Sequence, residues 1–200
     1  FMNPGGLRQD MAGTVNGDAR DVTYKQAAVV QPFANTLVNM ELTGADIKLV
    51  LEQQWQRDAS GAVPSRPFLR LGTSKGFTYT YDPTRREGDR ITAMWLDGEP
   101  VTAAESYSVT VNSFLATGGD NFRAFTRGTS VRDTGRVDLA AMVDYLAEFG
   151  GEEPLAVDSS QRAVGVSFPD GAPGNYRGGD RLRFRAFAKA PGGDLRALAA

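Results

Sequence analysis

The 200-residue chain contains no histidine and no cysteine. Without them it cannot build a Cys/His zinc site, a histidine-based triad, a thiol nucleophile or a disulfide. Any acid–base chemistry would fall to Asp, Glu, Lys or Tyr. Lack of cysteine is compatible with an exported bacterial protein without establishing export. A strong charge of one sign is also missing. The 22 Lys and Arg against 24 Asp and Glu leave a net charge of −2, so there is no basic field of the kind that drives nucleic-acid binding. No apolar run approaches the ~20 residues of a membrane helix. What remains is ordinary globular material, 41% hydrophobic and 23% charged, enough for one large domain or one domain plus a piece of another. The opening Phe1-Met2-Asn3-Pro4-Gly5-Gly6 has no signal-peptide pattern and reads as entry into the middle of a protein, with any signal sequence upstream.

Residues 1–22 are rich in Gly, Asn and Asp and read as loop, with a strand end at Phe1-Met2. Thr23-Tyr24-Lys25-Gln26 is a capping-box pattern that opens a helix ending before Pro32. Alternating side chains predict strands over 36–42, 76–81, 90–96 and 106–112. Thr43-Gly44-Ala45-Asp46 opens a second helix over 44–57, with Ile47, Val50, Leu51 and Trp55 on one face. Thr117-Gly118-Gly119-Asp120-Asn121 is a tight loop where glycine lets backbone approach something closely. Asp138 is the predicted cap of a third helix over 138–149, striped by Leu139, Met142, Val143, Leu146 and Phe149 and stopped by Gly150.

Composition shifts after Gly150. Residues 151–160, with Pro154 and Ser159-Ser160, read as a linker. Ala163–Phe168 and Leu182–Ala188 read as strands, the second carrying Arg181, Arg183 and Arg185 on one face. Two strands cannot close a sandwich alone. The expected fold is therefore α+β: a mixed sheet with packed helices in 1–150, a linker over 151–160, and the start of a separate β element in 161–200.

Three constellations could carry chemistry. Asn3-Pro4-Gly5-Gly6-Leu7-Arg8 pairs glycines with an amide and a guanidinium, whose fixed fork of donors suits phosphate or carboxylate; a Gly turn with a surface Arg fits it as well. Gln31–Asn35 and Asn112–Asp120 each set a phenylalanine, Phe33 or Phe114, beside a break in regular structure. Two such rings could form a slot for a flat heteroaromatic base, with Asp120 accepting from a ribose diol. Two core phenylalanines and a turn aspartate fit the same spacing. Asp10, Asp18 and Asp21 miss the spacing of a calcium loop.

Taken in order, these segments resemble the C-terminal domain of the 5'-nucleotidase family, which includes bacterial UDP-sugar hydrolases. The resemblance covers about residues 1–150. It rests on Asn3–Arg8, on Gln31–Asn35, on the Leu-Thr-Gly helix start at Leu42–Gly44, and on Asn112–Asp120, which carries the family's Asn-x-Phe-x-Ala-x-Gly-Gly-Asp signature. It implies a substrate-binding domain in which Phe33 and Phe114 sandwich the base. Gly118 and Gly119 would shape the turn, Asp120 would hold the ribose hydroxyls, Arg8 would reach the phosphate, and Asn3 or Asn35 would read the base edge. The family's chemistry lies in an N-terminal metallophosphoesterase domain with two divalent ions on Asp, His and Asn ligands, which clamp an in-line displacement. A chain without His cannot contain that centre. The resemblance thus implies the specificity domain of a secreted, two-domain hydrolase of nucleoside 5'-phosphates, extracellular, surface-bound or periplasmic, with catalytic residues and metals outside this chain. Cyclic-nucleotide, nucleotide-sugar or extracellular-nuclease parents, or a non-catalytic adhesion module, stand as alternatives. The Arg- and Ala-rich composition points to a high-GC bacterium.

Overall fold

The computed structural model of the chain describes residues 1–151, 153–156, 158–168, 183–187 and 197–199. A hairpin of β1 (Thr14–Asn16) and β2 (Ala19–Asp21) precedes α1 (Tyr24–Val30). Then come β3 (Thr36–Thr43), α2 (Gly44–Glu52), β4 (Phe77–Tyr81), β5 (Ile91–Leu96), β6 (Glu99–Pro100) and β7 (Ser106–Asn112). α3 (Ser113–Ala116), β8 (Thr129–Val137), α4 (Asp138–Gly150), β9 (Ala163–Ser167), β10 (Arg185–Phe187) and β11 (Ala197–Ala199) follow. One antiparallel sheet runs β7-β3-β8; the other is mixed and runs β11-β10-β9-β4-β5-β6.

Local chemistry accounts for these elements. The capping box at α1 is complete: the Gln26 amide N–H donates to Thr23 Oγ1, and the Thr23 N–H donates to Gln26 Oε1 at 2.8 Å. β3 alternates, burying Val38, Met40 and Leu42. Val38 lies opposite Val111 of β7 and Met40 opposite Val109, so one face of the pair is continuously apolar. β4 buries Phe77, Tyr79 and Tyr81 in the same way. α2 packs against both β3 and β5, and its Ile47, Val50 and Leu51 join the two sheets into one core with Leu115, Phe122 and Phe125. Fully burying side chains of this size contributes roughly 1.5–3 kcal/mol each.

Several boundaries differ from expectation. α2 stops at Glu52 rather than 57, because glutamines take over its last carbonyls: Gln54 Nε2 donates to Leu51 O at 2.9 Å, and Gln56 Nε2 to Gln53 O at 2.8 Å. Trp55 is thereby off the helix, bridged to Phe68 and edge-on to Phe68 and Tyr81. Val137, not Asp138, is the cap residue of α4; Asp138 is the first helical residue, and its backbone N–H donates to Asn35 O at 2.8 Å. Residues 14–21 form a hairpin rather than plain loop, and β8 was not expected at all.

The tail is the main correction. β9 does not start a separate β element. It pairs in parallel with β4, Tyr79 opposite Ala163 and Tyr81 opposite Gly165, so it lies inside the sheet begun by residues before 150. The Arg162 guanidinium ties the preceding segment down, donating to Thr73 O and to Asp158 at 2.5 Å each. Pairing between residues more than eighty positions apart has no local signature. Within the predicted strand 182–188, β10 covers 185–187; residues 182 and 188, and Arg181, lie outside the described residues.

Candidate functional site

The end of β7 begins the site. Asn112 caps α3, its Oδ1 accepting the Leu115 N–H at 2.8 Å. Its Nδ2 donates to Asn3 Oδ1 at 3.0 Å, and Asn3 Nδ2 donates to Asp120 Oδ2 at 2.9 Å. Asn112 and Asn3 are 2% and 3% exposed. Two buried amides thus run outward and end on a carboxylate whose side chain is 15% exposed. Because each amide is fixed at both ends, the orientation of Asp120 is set from inside the fold.

The turn that carries Asp120 is unusual in backbone. Gly118 has φ +85°, and the non-glycine residues Asp120 and Asn121 follow at φ +50° and +61°. Left-handed non-glycine residues are costly and persist where their surroundings over-determine them. Gly119 is required for a different reason: a Cβ there would lie 2.6 Å from three ring atoms of Phe114. The Phe114 ring therefore rests directly on the turn backbone beside Asp120, while remaining 44% exposed.

Phe33 is 55% exposed and precedes Ala34, another left-handed residue at φ +55°. The Arg8 guanidinium lies over its ring, 5.7 Å from the centroid, close enough for a cation–π contact. Arg8 Nη1 donates to Gly5 O at 3.5 Å, and a Cβ on Gly5 would stand 3.5 Å from Asp120 Oδ2. Phe33, Arg8 and Gly5 thus form one run of contacts, and Asp120, Gly119 and Phe114 share the neighbouring turn. The two rings do not touch each other. Arg66 Nη2 lies 3.9 Å from Asp120 Oδ1.

Of the eight predicted residues, Asn3, Phe114, Gly118 and Gly119 gather on the turn of Asp120, while Arg8 and Phe33 meet each other. The side chain of Asn35, half-buried, is not drawn in; only its carbonyl is used, by Asp138. Asn3 or Asn35 was expected to read a base edge; in the structure the Asn3 amide is hydrogen-bonded at both ends within the protein, to Asn112 and Asp120. Asn112 and Arg66 were not singled out as site residues. An Asn just before Ser113 was a readable cap signal; Arg66, between Ser65 and Pro67, carried none. Cavities of about 420 Å³, bounded by Arg70, Tyr81 and Arg162, and about 280 Å³, bounded by Phe77, Leu96 and Val109, include none of the eight residues. Among the described residues no group of three or more acidic side chains is placed to hold a metal ion. Chemically, the region offers two exposed rings, one anchored carboxylate and two guanidiniums.

The family model of the 5'-nucleotidase C-terminal domain matches residues 1–127, which include the whole cluster. The chain belongs to that family. It is 32% identical over 130 residues to a cell wall protein of Listeria monocytogenes, covering 64% of this chain and 16% of that one. It is 29% identical over 169 residues to a trifunctional nucleotide phosphoesterase of Bacillus subtilis, covering 81% of this chain and 11% of that one. The solved 5'-nucleotidase precursor of Thermus thermophilus superposes with a TM-score of 0.61 at 28% identity, over 81% of this chain and 30% of that one. The chain therefore spans less than a third of the length of each.

Proposed function

We propose that this chain is the nucleoside-binding specificity domain of a two-domain metallophosphohydrolase acting on nucleoside 5'-phosphates. The observation that supports the reading is the Asn112–Asn3–Asp120 relay, which fixes a carboxylate on the turn that also seats the exposed Phe114 ring. A base needs apolar faces, a ribose needs an acceptor for its hydroxyls, and a phosphate needs a cation; Phe33 and Phe114, Asp120 and Arg8 are of the types that would supply these. Base–aromatic stacking contributes roughly 1–3 kcal/mol per base. In this reading the two divalent ions and the reacting groups sit in an N-terminal domain of the same protein, since this chain has no His to ligate them. A location outside the cytoplasm goes with it, supported by the likeness to a cell wall protein. Among the described residues no helix is long and apolar enough to cross a membrane.

Calorimetry of the 200-residue chain with adenosine and adenine tests the reading. Asp120→Asn should weaken adenosine more than adenine, because a neutral amide replaces an ionic acceptor for the ribose hydroxyls. Equal losses for both ligands, or no binding by the wild type, would sink it. Alone, the chain should not hydrolyse adenosine 5'-phosphate with any divalent metal; clean metal-dependent turnover would refute the division of labour between domains.

A further inference from the structure

The cavity of about 420 Å³ lies between residues 70–73 and residues 158–163, on the side of β4 that Tyr79 and Tyr81 face. It is within the size range of small-molecule sites, and the nucleoside reading does not use it. Its two walls are tied together. The Arg162 guanidinium donates to Thr73 O at 2.5 Å, and the Tyr79 N–H donates to Arg162 O at 2.9 Å. Ala163, the next residue, is already paired with β4. The cavity is therefore bounded by backbone that the sheet itself fixes.

Two guanidiniums and one carboxylate border this space. The carboxylate is spent: Asp158 Oδ2 accepts from Arg162 at 2.5 Å, and its Oδ1 accepts the Ser160 N–H at 2.9 Å. Arg70 is placed differently. Among the described residues no carboxylate pairs with it, and its one hydrogen bond runs from Nη2 to the Tyr81 hydroxyl at 2.8 Å. Its Nε is buried and donates to nothing. The Tyr81 side chain, 2% exposed, accepts the Arg70 bond, and no acceptor is recorded for its own proton. Tyr79 contrasts with it, because the Tyr79 hydroxyl donates to Gln54. One uncompensated positive charge and two donors without acceptors thus meet at one cavity. Buried donors left this way are rare and costly, and each calls for an explanation.

We propose that this cavity is a binding site for a small organic carboxylate, whose oxygens take the donors of Arg70 and Tyr81 while its apolar body lies against Leu71 and the tyrosine rings. A guanidinium edge matches the two oxygens of a carboxylate. A single negative charge balances the single uncompensated cation. A phosphate dianion would bring a second negative charge near Asp158, and among the described residues bordering the cavity no second unpaired guanidinium meets it. The proposal stands whether or not the nucleoside reading holds.

The test is a nuclear magnetic resonance titration of the isotope-labelled 200-residue chain with benzoate, with benzamide as its neutral isostere, and with inorganic phosphate. Benzoate should move the amide signals of 70–73, 79–81 and 158–163 together with the Arg70 Nε–H signal. It should bind at least about tenfold more tightly than benzamide, the worth of a charge-assisted hydrogen bond. Arg70→Gln should remove that preference, and Arg70→Lys, which keeps the charge without the fork, should keep part of it. Tyr81→Phe should weaken benzoate about three- to tenfold. If Arg70→Gln does not fold, the wild-type comparison and Tyr81→Phe decide. No shift at these residues with millimolar benzoate overturns the proposal, since water would then satisfy the two donors. Equal binding of benzoate and benzamide, or a preference that survives Arg70→Gln, also overturns it. Tighter binding of phosphate than of benzoate at the same residues would reject the carboxylate class.

Discussion

Gln54 and Asn3 are both buried amides, 1% and 3% exposed, and both link segments distant in sequence, yet their hydrogen bonds lead in opposite directions. Gln54 closes inward. Its Nε2 holds Leu51 O at the end of α2, and its Oε1 accepts from the Leu71 N–H at 3.0 Å and the Tyr79 hydroxyl of β4 at 3.1 Å, so every bond is spent inside the fold. Asn3 leads outward, passing from Asn112 to a carboxylate at the surface. A closed buried polar cluster specifies packing; an open one specifies the placement of a functional group. The difference separates the part of this domain that holds it together from the part that meets a ligand in the proposed reading.

The largest expected effect tests the closed cluster. Gln54→Ala leaves a buried hydroxyl and a backbone N–H without partners and opens a cavity, and should cost about 3–5 kcal/mol of stability. The folded fraction should bind adenosine as wild type does, read by urea titration and calorimetry on the same preparations. A change in adenosine affinity larger than in stability would break the separation. Asn112→Ala should cost somewhat less, about 2–4 kcal/mol, by losing the α3 cap and stranding Asn3 Oδ1. Unlike Gln54→Ala, it should also weaken adenosine relative to adenine, because Asp120 loses its anchor. Equal effects on the two ligands would show that the relay does not reach the ribose.

Phe114→Ala reverses the pattern. The ring is nearly half exposed, so stability should change by less than about 1 kcal/mol. Adenosine binding should lose roughly 1–3 kcal/mol, about five- to 150-fold. Gly119→Ala should mimic it without touching the ring's chemistry, since the new methyl would push Phe114 from its seat. Unaltered adenosine binding in both variants would return these rings to plain surface residues and favour an adhesion module.

How much of this could be read from the chain follows burial. β3 and β4 were legible because each alternates between a core face and a more open one. β8 was not: its first eight residues are exposed, so no alternation marks it, and it is recognised only by its pairing with β3. The β1–β2 hairpin escaped for the same reason. Phe33, Phe114 and Asp120 were found through a motif rather than periodicity, and spacing alone fitted core phenylalanines as well. Only the structure shows the rings exposed. The Asn112–Asn3 bond spans 109 residues, and Arg66 reaches Asp120 across 54; neither leaves a trace in local sequence.

The smallest effect concerns a carboxylate beside the closed cluster, one that contrasts with Asp120. Glu52 ends α2, 5% exposed. Its Oε1 accepts the Ile91 N–H at 2.6 Å, while Oε2 is buried without a partner. Burial pushes its carboxyl up from the usual value, against the pull of the Ile91 N–H and of the Lys48 and Arg90 charges. A folded state that holds the proton more tightly than the unfolded chain is stabilised by it at low pH. That contribution is lost as pH rises from the ordinary glutamate value of 4.5 through the raised folded value. Glu52→Gln keeps an oxygen for Ile91 and removes the ionisation. Other carboxylates, including Asp46 and Glu87, are held below their usual values and slope the other way, so the informative quantity is the difference between the two proteins. In urea unfolding from pH 4 to 8, the variant should gain on wild type across that window and hold the gain above it. Adenosine affinity should follow wild type throughout, as it does for Gln54→Ala. A stability difference independent of pH would mean that the Glu52 charge is solvated in the folded state, and that the end of α2 is open to water as the Asp120 rim is.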